Sequence, residues 1–370
     1  DSETLLVRAE LATAAAQRAV DLDVSYQGQT ERTPTVQETF IRVGPELGQF
    51  VWQDANDDGI PQIDEFIPET TPGEGEYIQS FVPSDSLVPV ANVQAQMQLR
   101  LDPGRVWDDA SSPVARALSV VQSRSEARIQ EQTESPNLWG VYLLDPREYR
   151  QPGQTVNGQL ELRQTLDLFP RRSRAGGTLE WTQRRRLDDR SAGLQEAFQQ
   201  AWSATTRWRP VRPWQVQLQV ETNRDRSISE AFESRSYDIR TWRLQPESEI
   251  ALTPAWQLQV RPSWAQKIDR RGTRRATVWR APVEATWRRA RQARLSAQAE
   301  VAHIALQGTA QGRALFELTD GRGPGTSYLW GLRGRYVFSD LLQGALRYNG
   351  RAPAAADVIH TFEVELTATF

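Results

Sequence analysis

The second half of the chain contains nine-residue segments in which apolar residues alternate with mostly polar ones between aromatic ends. Segments 256–264, 279–287 and 330–338 all follow this pattern. In the first of them, the residues between the apolar positions are Gln257, Gln259, Arg261 and Ser263. Because successive side chains of a β-strand point to opposite faces, this period of two predicts strands with one apolar and one polar face.

The spacing of the aromatic residues suits a membrane. Eight steps of about 3.3 Å make about 26 Å of strand, which at a tilt of about 40° spans about 20 Å along the membrane normal. Aromatic residues at both ends of a lipid-facing stripe are typical of the two interfacial girdles of a transmembrane barrel. Soluble sandwiches also alternate, but they place aromatics in mid-strand as readily as at strand ends. The predicted girdle residues are Trp256, Trp264, Trp279, Trp287, Trp330 and Phe338.

Average composition hides this pattern. The mean hydropathy of −0.59 resembles that of a soluble protein. No run of about 18 apolar residues is present, which excludes a membrane-spanning helix. The absence of Cys and the presence of only two His leave little material for thiolate metal sites, zinc sites or histidine-based catalysis. A transmembrane β-barrel is compatible with all of this, because only half of each strand faces lipid.

Short connections alternate with longer, polar ones, as in barrels with short periplasmic turns and long outer loops. We therefore predict one all-β domain over 1–370, an antiparallel up-and-down transmembrane β-barrel of about 14–16 strands. The predicted strands lie near 4–13, 17–28, 88–101, 114–131, 154–168, 175–188, 196–208, 214–226, 235–252, 256–269, 273–287, 293–306, 326–338, 342–352 and 358–370.

The end of the chain resembles the C-terminal strand of bacterial outer-membrane β-barrels. Apolar residues alternate up to a terminal aromatic, at Phe362, Val364, Leu366, Ala368 and Phe370. In that family the motif is read by the barrel-assembly machinery, and the resemblance implies an outer-membrane location in contact with the bilayer and lipopolysaccharide. The tail from Phe316 also looks like the ends of uncharacterised surface barrel proteins of Bacteroidota type, a likeness that brings no known activity.

An acidic insert over 29–87 stands outside the strand pattern. From Val43 to Leu99 there are ten Asp or Glu and no Lys or Arg. Residues 54–65 fit the twelve-residue calcium loop D-x-[DN]-x-[DN]-G-x5-E, in which oxygen ligands converge around a glycine turn. Pro61 and Pro68 argue against an exiting helix, so the better resemblance is to extracellular calcium loops without a paired helix. The predicted ligands are Asp54, Asn56, Asp58, Ile60 (through its carbonyl), Gln62 and Glu65.

We find no catalytic signature and expect no enzyme. His303 and His360 share the parity of lipid-facing neighbours, and no phosphate loop, dinucleotide fingerprint or zinc spacing is present. Arginine clusters lie between strand-like runs with acids nearby, so nucleic acid is not an expected partner.

Four functions remain open, in this order. The first is a channel or export conduit with a calcium-stabilised loop at the outer mouth. The second is a structural or surface-interaction barrel with a closed lumen, which serves as a scaffold, an adhesin or a component of a secretion complex and binds surface or secretion proteins. An outer-membrane enzyme and a soluble calcium-dependent lectin follow. The lumen-facing residues are large, polar and of mixed sign, which suits either a charged pore or an interior closed by ion pairs.

Overall fold

Alternating sequence forms β-strands through most of the chain in the computed structural model. The structure describes residues 6–45, 47–69, 74–107, 112–172, 174–189, 193–290, 292–309, 312–339, 341–354 and 357–368. The strands are β1 (Leu6–Ala15), β2 (Val20–Arg42), β3 (Phe50–Trp52), β4 (Phe66–Pro68), β5 (Tyr77–Leu101), β6 (Val121–Thr133), β7 (Thr155–Leu168), β8 (Ala175–Asp188), β9 (Gln195–Val211), β10 (Trp214–Ser229), β11 (Tyr237–Ala251), β12 (Trp256–Val260), β13 (Ser263–Asp269), β14 (Arg275–Arg289), β15 (Ala293–Gln307), β16 (Gly325–Ser339), β17 (Leu342–Ala352) and β18 (Ile359–Ala368).

Short helices lie in the connections. They are the α-helices α1 (Pro113–Ser119), α2 (Leu138–Tyr142) and α3 (Gly312–Thr319), and the 3-10 helices Ile63–Glu65, Pro103–Arg105, Pro146–Glu148 and Glu233–Arg235. None of the helices in the described ranges is long and apolar enough to cross a membrane.

All described strands belong to one sheet. The hairpin β3–β4 belongs to the insert, and the other sixteen strands form the barrel wall, each antiparallel to its neighbours. Strands β12 and β13 both pair with β11 and β14, so they are halves of one strand interrupted at Arg261-Pro262. A proline has no N–H to donate to a ladder, which accounts for the interruption. The chain therefore crosses the wall fifteen times, within the predicted range.

The register places apolar residues on one face of the wall and polar residues on the other. Between β14 and β15, Trp287 lies opposite Leu295 on the outer face, while Glu284 lies opposite Gln298 on the inner face. The same parity continues into β16, where Leu332 pairs with Ala297 on the outside. The fold is thus an all-β antiparallel barrel in which the strand period determines which side chains face out.

Long and short connections lie at opposite ends of the barrel, with one exception. Residues 43–76, 134–154 and 308–324 connect strands at one end, which we call the insert end. Turns of two to six residues, such as 16–19 and 212–213, connect strands at the other, the turn end. Residues 102–120 are a long connection at the turn end, because Pro113–Ser119 forms helix α1 and the strand predicted from residue 114 starts only at Val121. A proline in the first helical turn favours this helix start.

The strands flanking the insert are longer than the sequence pattern indicates. β2 continues to Arg42, and β5 begins at Tyr77, with pairing from Val20 opposite Leu101 to Arg42 opposite Tyr77. This extended pair carries the insert, because β3 pairs with β5 where Phe50 lies opposite Tyr77.

Strands β1 and β18 form the two edges of the wall. Among the described residues, β1 pairs only with β2, and β18 pairs only with β17. Both run in the same direction, because an odd number of crossings separates chain entry from chain exit.

Candidate functional site: the barrel lumen and the insert

The outer face of the wall is an apolar surface with tryptophan pairs at two levels. Trp256 lies opposite Trp287, with ring centroids 6.5 Å apart, near the turn end. Trp264 lies opposite Trp279, with centroids 6.2 Å apart, towards the insert end. All four point away from the lumen, as the girdle prediction requires, and small apolar residues such as Val283 and Ala285 lie between the two levels.

Outward aromatics also lie on other strands, among them β16 and β18. Trp330 donates through Nε1 to the Tyr348 hydroxyl at 3.1 Å, and Phe338 packs edge-to-face on Tyr336. Phe362 and Leu366 on β18 are 67% and 69% exposed. Apolar side chains this exposed, continuous around an antiparallel barrel, form the surface that contacts lipid in outer-membrane barrels.

Most of the proposed assembly signal lies on the last described strand. Phe362, Val364, Leu366 and Ala368 face outward on β18, opposite β17. Phe370 lies outside the described residues.

The lumen contains a cavity lined mostly by polar and charged side chains. It has a volume of about 410 Å³ and is bordered by Gln245, Gln259, Arg261, Arg280, Glu284, Glu300 and Arg322, among others. Arg322, from the connection between β15 and β16, donates to Glu300 at 2.5 Å and so borders the cavity from the insert end. The interior of the barrel therefore contains a cavity whose walls carry charged side chains.

A second cavity, of about 1440 Å³, lies between the insert and strands β16–β18. The wall contributes Arg333, Arg347 and Arg351, whereas the insert contributes Val51 and Ile67. The insert therefore reaches into the barrel instead of projecting away from it.

An aromatic cluster holds the insert together. Phe66 stacks on Phe40 with centroids 4.1 Å apart and meets Tyr77 edge-on at 4.9 Å. Phe50 packs edge-on against Phe40 at 5.2 Å. Because Phe40 and Tyr77 belong to β2 and β5, this cluster fixes the hairpin β3–β4 to the wall strands.

The predicted calcium loop is folded around its own side chains. Asp54 accepts hydrogen bonds from the backbone N–H groups of Asp58 at 3.2 Å and Gly59 at 2.8 Å. Asn56 and Asp58 accept from backbone N–H groups two residues ahead. Gly59 has a φ of +72°, which a glycine adopts without strain and which lets the chain turn sharply. The side-chain oxygens of Asp54, Asn56 and Asp58 thus accept hydrogen bonds from the backbone of the loop, and calcium binding by the loop stays a prediction.

Glu65 departs from the ligand geometry. Its side chain is buried and accepts from Trp52 Nε1 at 2.8 Å, Ala55 N at 3.1 Å and Gln62 N at 3.2 Å. No cluster of three or more His, Cys, Asp or Glu close enough to hold a metal occurs among the described residues. The oxygen atoms of the loop are of the kind that bind a hard cation, but the Glu65 carboxylate accepts hydrogen bonds from N–H groups in this arrangement.

Contacts from the insert cross the mouth to distant strands. Ser234, in the connection between β10 and β11, donates to Asp64 at 2.9 Å. Arg235 donates to Glu38 at 3.2 Å and to the Ile63 carbonyl. Arg351 on β17 forms an ion pair with Glu74. These contacts tie the insert to two further regions of the wall and place it across the insert end of the lumen.

Helix α3 also closes part of the lumen, and the strand pattern did not predict it. Ala314 and Leu318, four residues apart on one helix face, are buried against Tyr237, Ile239 and Ala276. Their spacing is the helical signal that was available in the sequence. The helix lies in the connection between β15 and β16 and covers inward-facing residues of β11 and β14.

An ion-paired cluster holds the end of α3 to the wall. Lys267, the only lysine in the chain, is 5% exposed. It donates through Nζ to the Glu317 carbonyl and to Asp320 Oδ1, both at 2.5 Å, and Asp320 also binds Arg280. Burial by itself raises the pKa of Asp320, but the charges of Lys267 and Arg280 outweigh it and hold this pKa below its usual value. The cluster of Lys267, Asp320 and Arg280 is called the α3 latch below.

The two histidines lie apart on the outer face. His303 Nδ1 is 2.8 Å from the Thr326 hydroxyl, and His360 Nδ1 is 2.9 Å from the Tyr348 hydroxyl. His360 also stacks on Tyr348 and meets Trp330 edge-on. Neither described environment brings a histidine to a carboxylate or to the lumen, where a nucleophile would need it.

The barrel fold and its apolar exterior define the chain as a β-barrel of the outer-membrane type. No protein-family model matches the chain, and no curated protein matches it. Several solved structures have a weak likeness to the chain. They include outer-membrane expressed OmpT of Vibrio cholerae, at 10% identity and a TM-score of 0.36, with 96% of this chain and 99% of that one covered. The outer-membrane channel DcaP of Acinetobacter baumannii has 8% identity and a TM-score of 0.35, with 97% and 99% covered. A Pseudomonas aeruginosa FadL homologue has 10% identity and a TM-score of 0.35, with 94% and 87% covered. Similarity at this level gives no information about a solute or a mechanism of this chain.

Proposed function

We propose that the chain forms a channel or export conduit in the bacterial outer membrane, with a calcium-stabilised loop at its outer mouth. The observation that carries this proposal is the hollow, charge-lined interior, with cavities of about 410 and 1440 Å³ behind an apolar wall. Charged side chains at a pore constriction select the permeating species, so mixed polar lining suits aqueous solutes. The insert and α3 narrow the passage at one end.

Planar-bilayer recording tests the channel. The full chain, refolded and shown to be folded by a heat-modifiability gel, is expected to give discrete conductance steps. A variant lacking 44–75 is expected to conduct more, because the described part of this segment lies across the mouth. A folded barrel that gives no conductance with or without the insert contradicts the channel.

Calcium binding rests on the loop geometry at Asp54, Asn56 and Asp58. Without a paired second loop, the expected affinity is that of extracellular modules, with a dissociation constant of about 10⁻⁴–10⁻³ M. For calcium to bind, Glu65 has to exchange its N–H partners for the cation. The test is limited proteolysis of the insert with and without calcium, together with calorimetric titration.

A matched pair of variants makes this test specific. Asp54→Asn removes a predicted ligand, whereas Asp57→Asn removes the same charge from a position the motif does not use. Asp57 has a φ of 58°, a conformation that asparagine tolerates. Protection of the insert from proteolysis by calcium should be lost in Asp54→Asn and kept in Asp57→Asn. Equal loss in both variants, or no protection of the unchanged chain, contradicts the calcium site.

A closed scaffold barrel is the second candidate, and the contacts across the mouth favour it. The ion pairs of Arg235 with Glu38 and of Arg351 with Glu74 hold the insert over the lumen. This candidate predicts no conductance from a folded barrel, and binding to a surface or secretion protein that is lost when 44–75 is deleted or calcium is chelated. Partner binding that survives both treatments contradicts it.

A further inference from the structure

Five arginines face the lumen on four neighbouring strands, β14 to β17. We call Arg288, Arg294, Arg333, Arg335 and Arg347 the lumenal arginine patch. Arg294 lies directly opposite Arg288 on one side and Arg335 on the other. Arg333 lies directly opposite Arg347. The register of the sheet therefore places like charges side by side across three strand pairs.

The patch is poorly neutralised. Arg347 has a carboxylate partner, Glu363 at 3.3 Å. Arg288 and Arg335 donate to the neutral amides of Gln257 and Gln343. Within the described ranges, Arg294 and Arg333 have no ion pair or hydrogen bond through their side chains.

Three other lumenal arginines are paired with acids on the adjacent strand, whereas Arg100 and Arg124 also lie opposite each other. Arg184 lies 2.9 Å from Glu161, Arg163 lies 3.7 Å from Glu180, and Arg243 lies 3.6 Å from Glu221. Like charges directly opposite each other destabilise a sheet, so the unpaired patch lowers stability unless anions occupy it. An anion bound at the patch would relieve the repulsion between its neighbouring arginines.

The large cavity gives such a ligand room. Arg333 and Arg347 line the cavity of about 1440 Å³, which exceeds the roughly 300–1,000 Å³ of ordinary small-molecule pockets. The insert side of the cavity has the apolar Val51 and Ile67, together with Glu74, which is paired with Arg351. A ligand that fits both sides carries negative groups at one end and carbon at the other.

We infer that the lumenal arginine patch and the cavity beside it bind organic anions that carry several carboxylate or phosphate groups. This assignment rests on the proposed channel and names its class of solute. Guanidinium groups bind carboxylate and phosphate oxygens through two parallel hydrogen bonds, which gives selectivity over neutral solutes of the same size. Arginines lining a pore favour anions over cations.

Equilibrium binding of pyrophosphate to the folded, detergent-solubilised barrel tests the inference without any need for conduction. Calorimetric titration at low salt compares the unchanged chain with the triple variant Arg294→Gln, Arg333→Gln, Arg347→Gln. The control variant, Arg163→Gln, Arg184→Gln, Arg243→Gln, removes the same charge from paired positions. We expect pyrophosphate binding that falls at least about tenfold in the patch variant, equivalent to about 1.4 kcal/mol, and stays within about threefold in the control. Absence of binding to the unchanged chain, or equal loss in both variants, overturns the inference.

Conductance measurements separate this inference from the channel itself. In a potassium chloride gradient, the unchanged barrel should be more permeable to chloride, and the patch variant should lose that preference. A conducting barrel without anion preference and without pyrophosphate binding overturns the inference and leaves the channel standing. A barrel that binds pyrophosphate through the patch but does not conduct supports the anion site and contradicts the channel.

Discussion

Asp320→Asn is expected to release helix α3 from the lumen wall. Asparagine keeps the shape of the side chain but removes the charge that faces Lys267 and Arg280. The Lys267 ammonium is almost fully buried and would keep only neutral acceptors, such as the Glu317 carbonyl, in place of its carboxylate. Removing one partner of a buried pair costs about 3–5 kcal/mol, and the lower end applies because Asp320 is 27% exposed. A cost of about 3 kcal/mol raises the population of the detached segment roughly a hundredfold.

Hydrogen exchange of the backbone amides measures that population directly. Exchange of residues 312–319 should accelerate by about two orders of magnitude in Asp320→Asn, whereas the amides of β15 should keep their rates. Asp357→Asn is the matched control, because Asp357 is exposed in the connection between β17 and β18. In Lys267→Met/Asp320→Asn, the loss should shrink, since no ammonium is left buried without its carboxylate. Unchanged α3 exchange in Asp320→Asn, or equal acceleration in the control, refutes the role of the α3 latch.

Three further predictions concern the same barrel. The pKa of Asp320 is lowered in the folded chain. Its contribution to stability is therefore complete above the ordinary Asp pKa of about 3.9 and is lost as the pH falls through the lower folded value. Hydrogen exchange of α3 should accelerate only in strongly acidic solution. Phe66→Ala should destabilise the insert by about 3–5 kcal/mol and expose 43–76 to proteases while the wall still migrates as a folded barrel on a gel. Gly350→Ala should destabilise the barrel by about 1–3 kcal/mol in a urea titration, because the added Cβ would collide with the Trp330 ring. Gly177→Ala is the control and should have little effect, because the atoms nearest to its added Cβ are 3.5 Å or more away. Equal loss of stability in the two glycine variants would contradict this packing argument.

Much of the wall was predictable from the sequence. The strands predicted at 175–188 and 342–352 match β8 and β17 residue for residue, and β7 and β15 differ by one residue at one end. Such agreement arises because the lipid-facing side of every strand has to be apolar and the lumen side can be polar, which writes a period of two into the local sequence. The main departures were α1 in place of the start of a strand, and the continuation of β2 and β5 beyond the barrel.

The contents of the barrel were less predictable. Nothing in the alternation around Lys267 or Asp320 indicates that these residues, far apart in sequence, form an ion pair at 2.5 Å. The motif predicted the sharp turn at Gly59, but it did not predict that buried Glu65 would accept a hydrogen bond from Trp52. Charged loop residues have no periodic sequence pattern, because their interaction partners depend on how all the strands of the sheet pair.

The sequence by itself determined which side chains face lipid and which face the lumen, since strand parity is a local property that the bilayer enforces on every crossing. Only the tertiary structure decided what the lumen contains. Inter-strand register placed Arg294 beside Arg335 and Arg333 beside Arg347, and the curvature of the wall brought the insert and α3 into the mouth. These are contacts between residues distant in sequence, and they exist only once all the strands have paired.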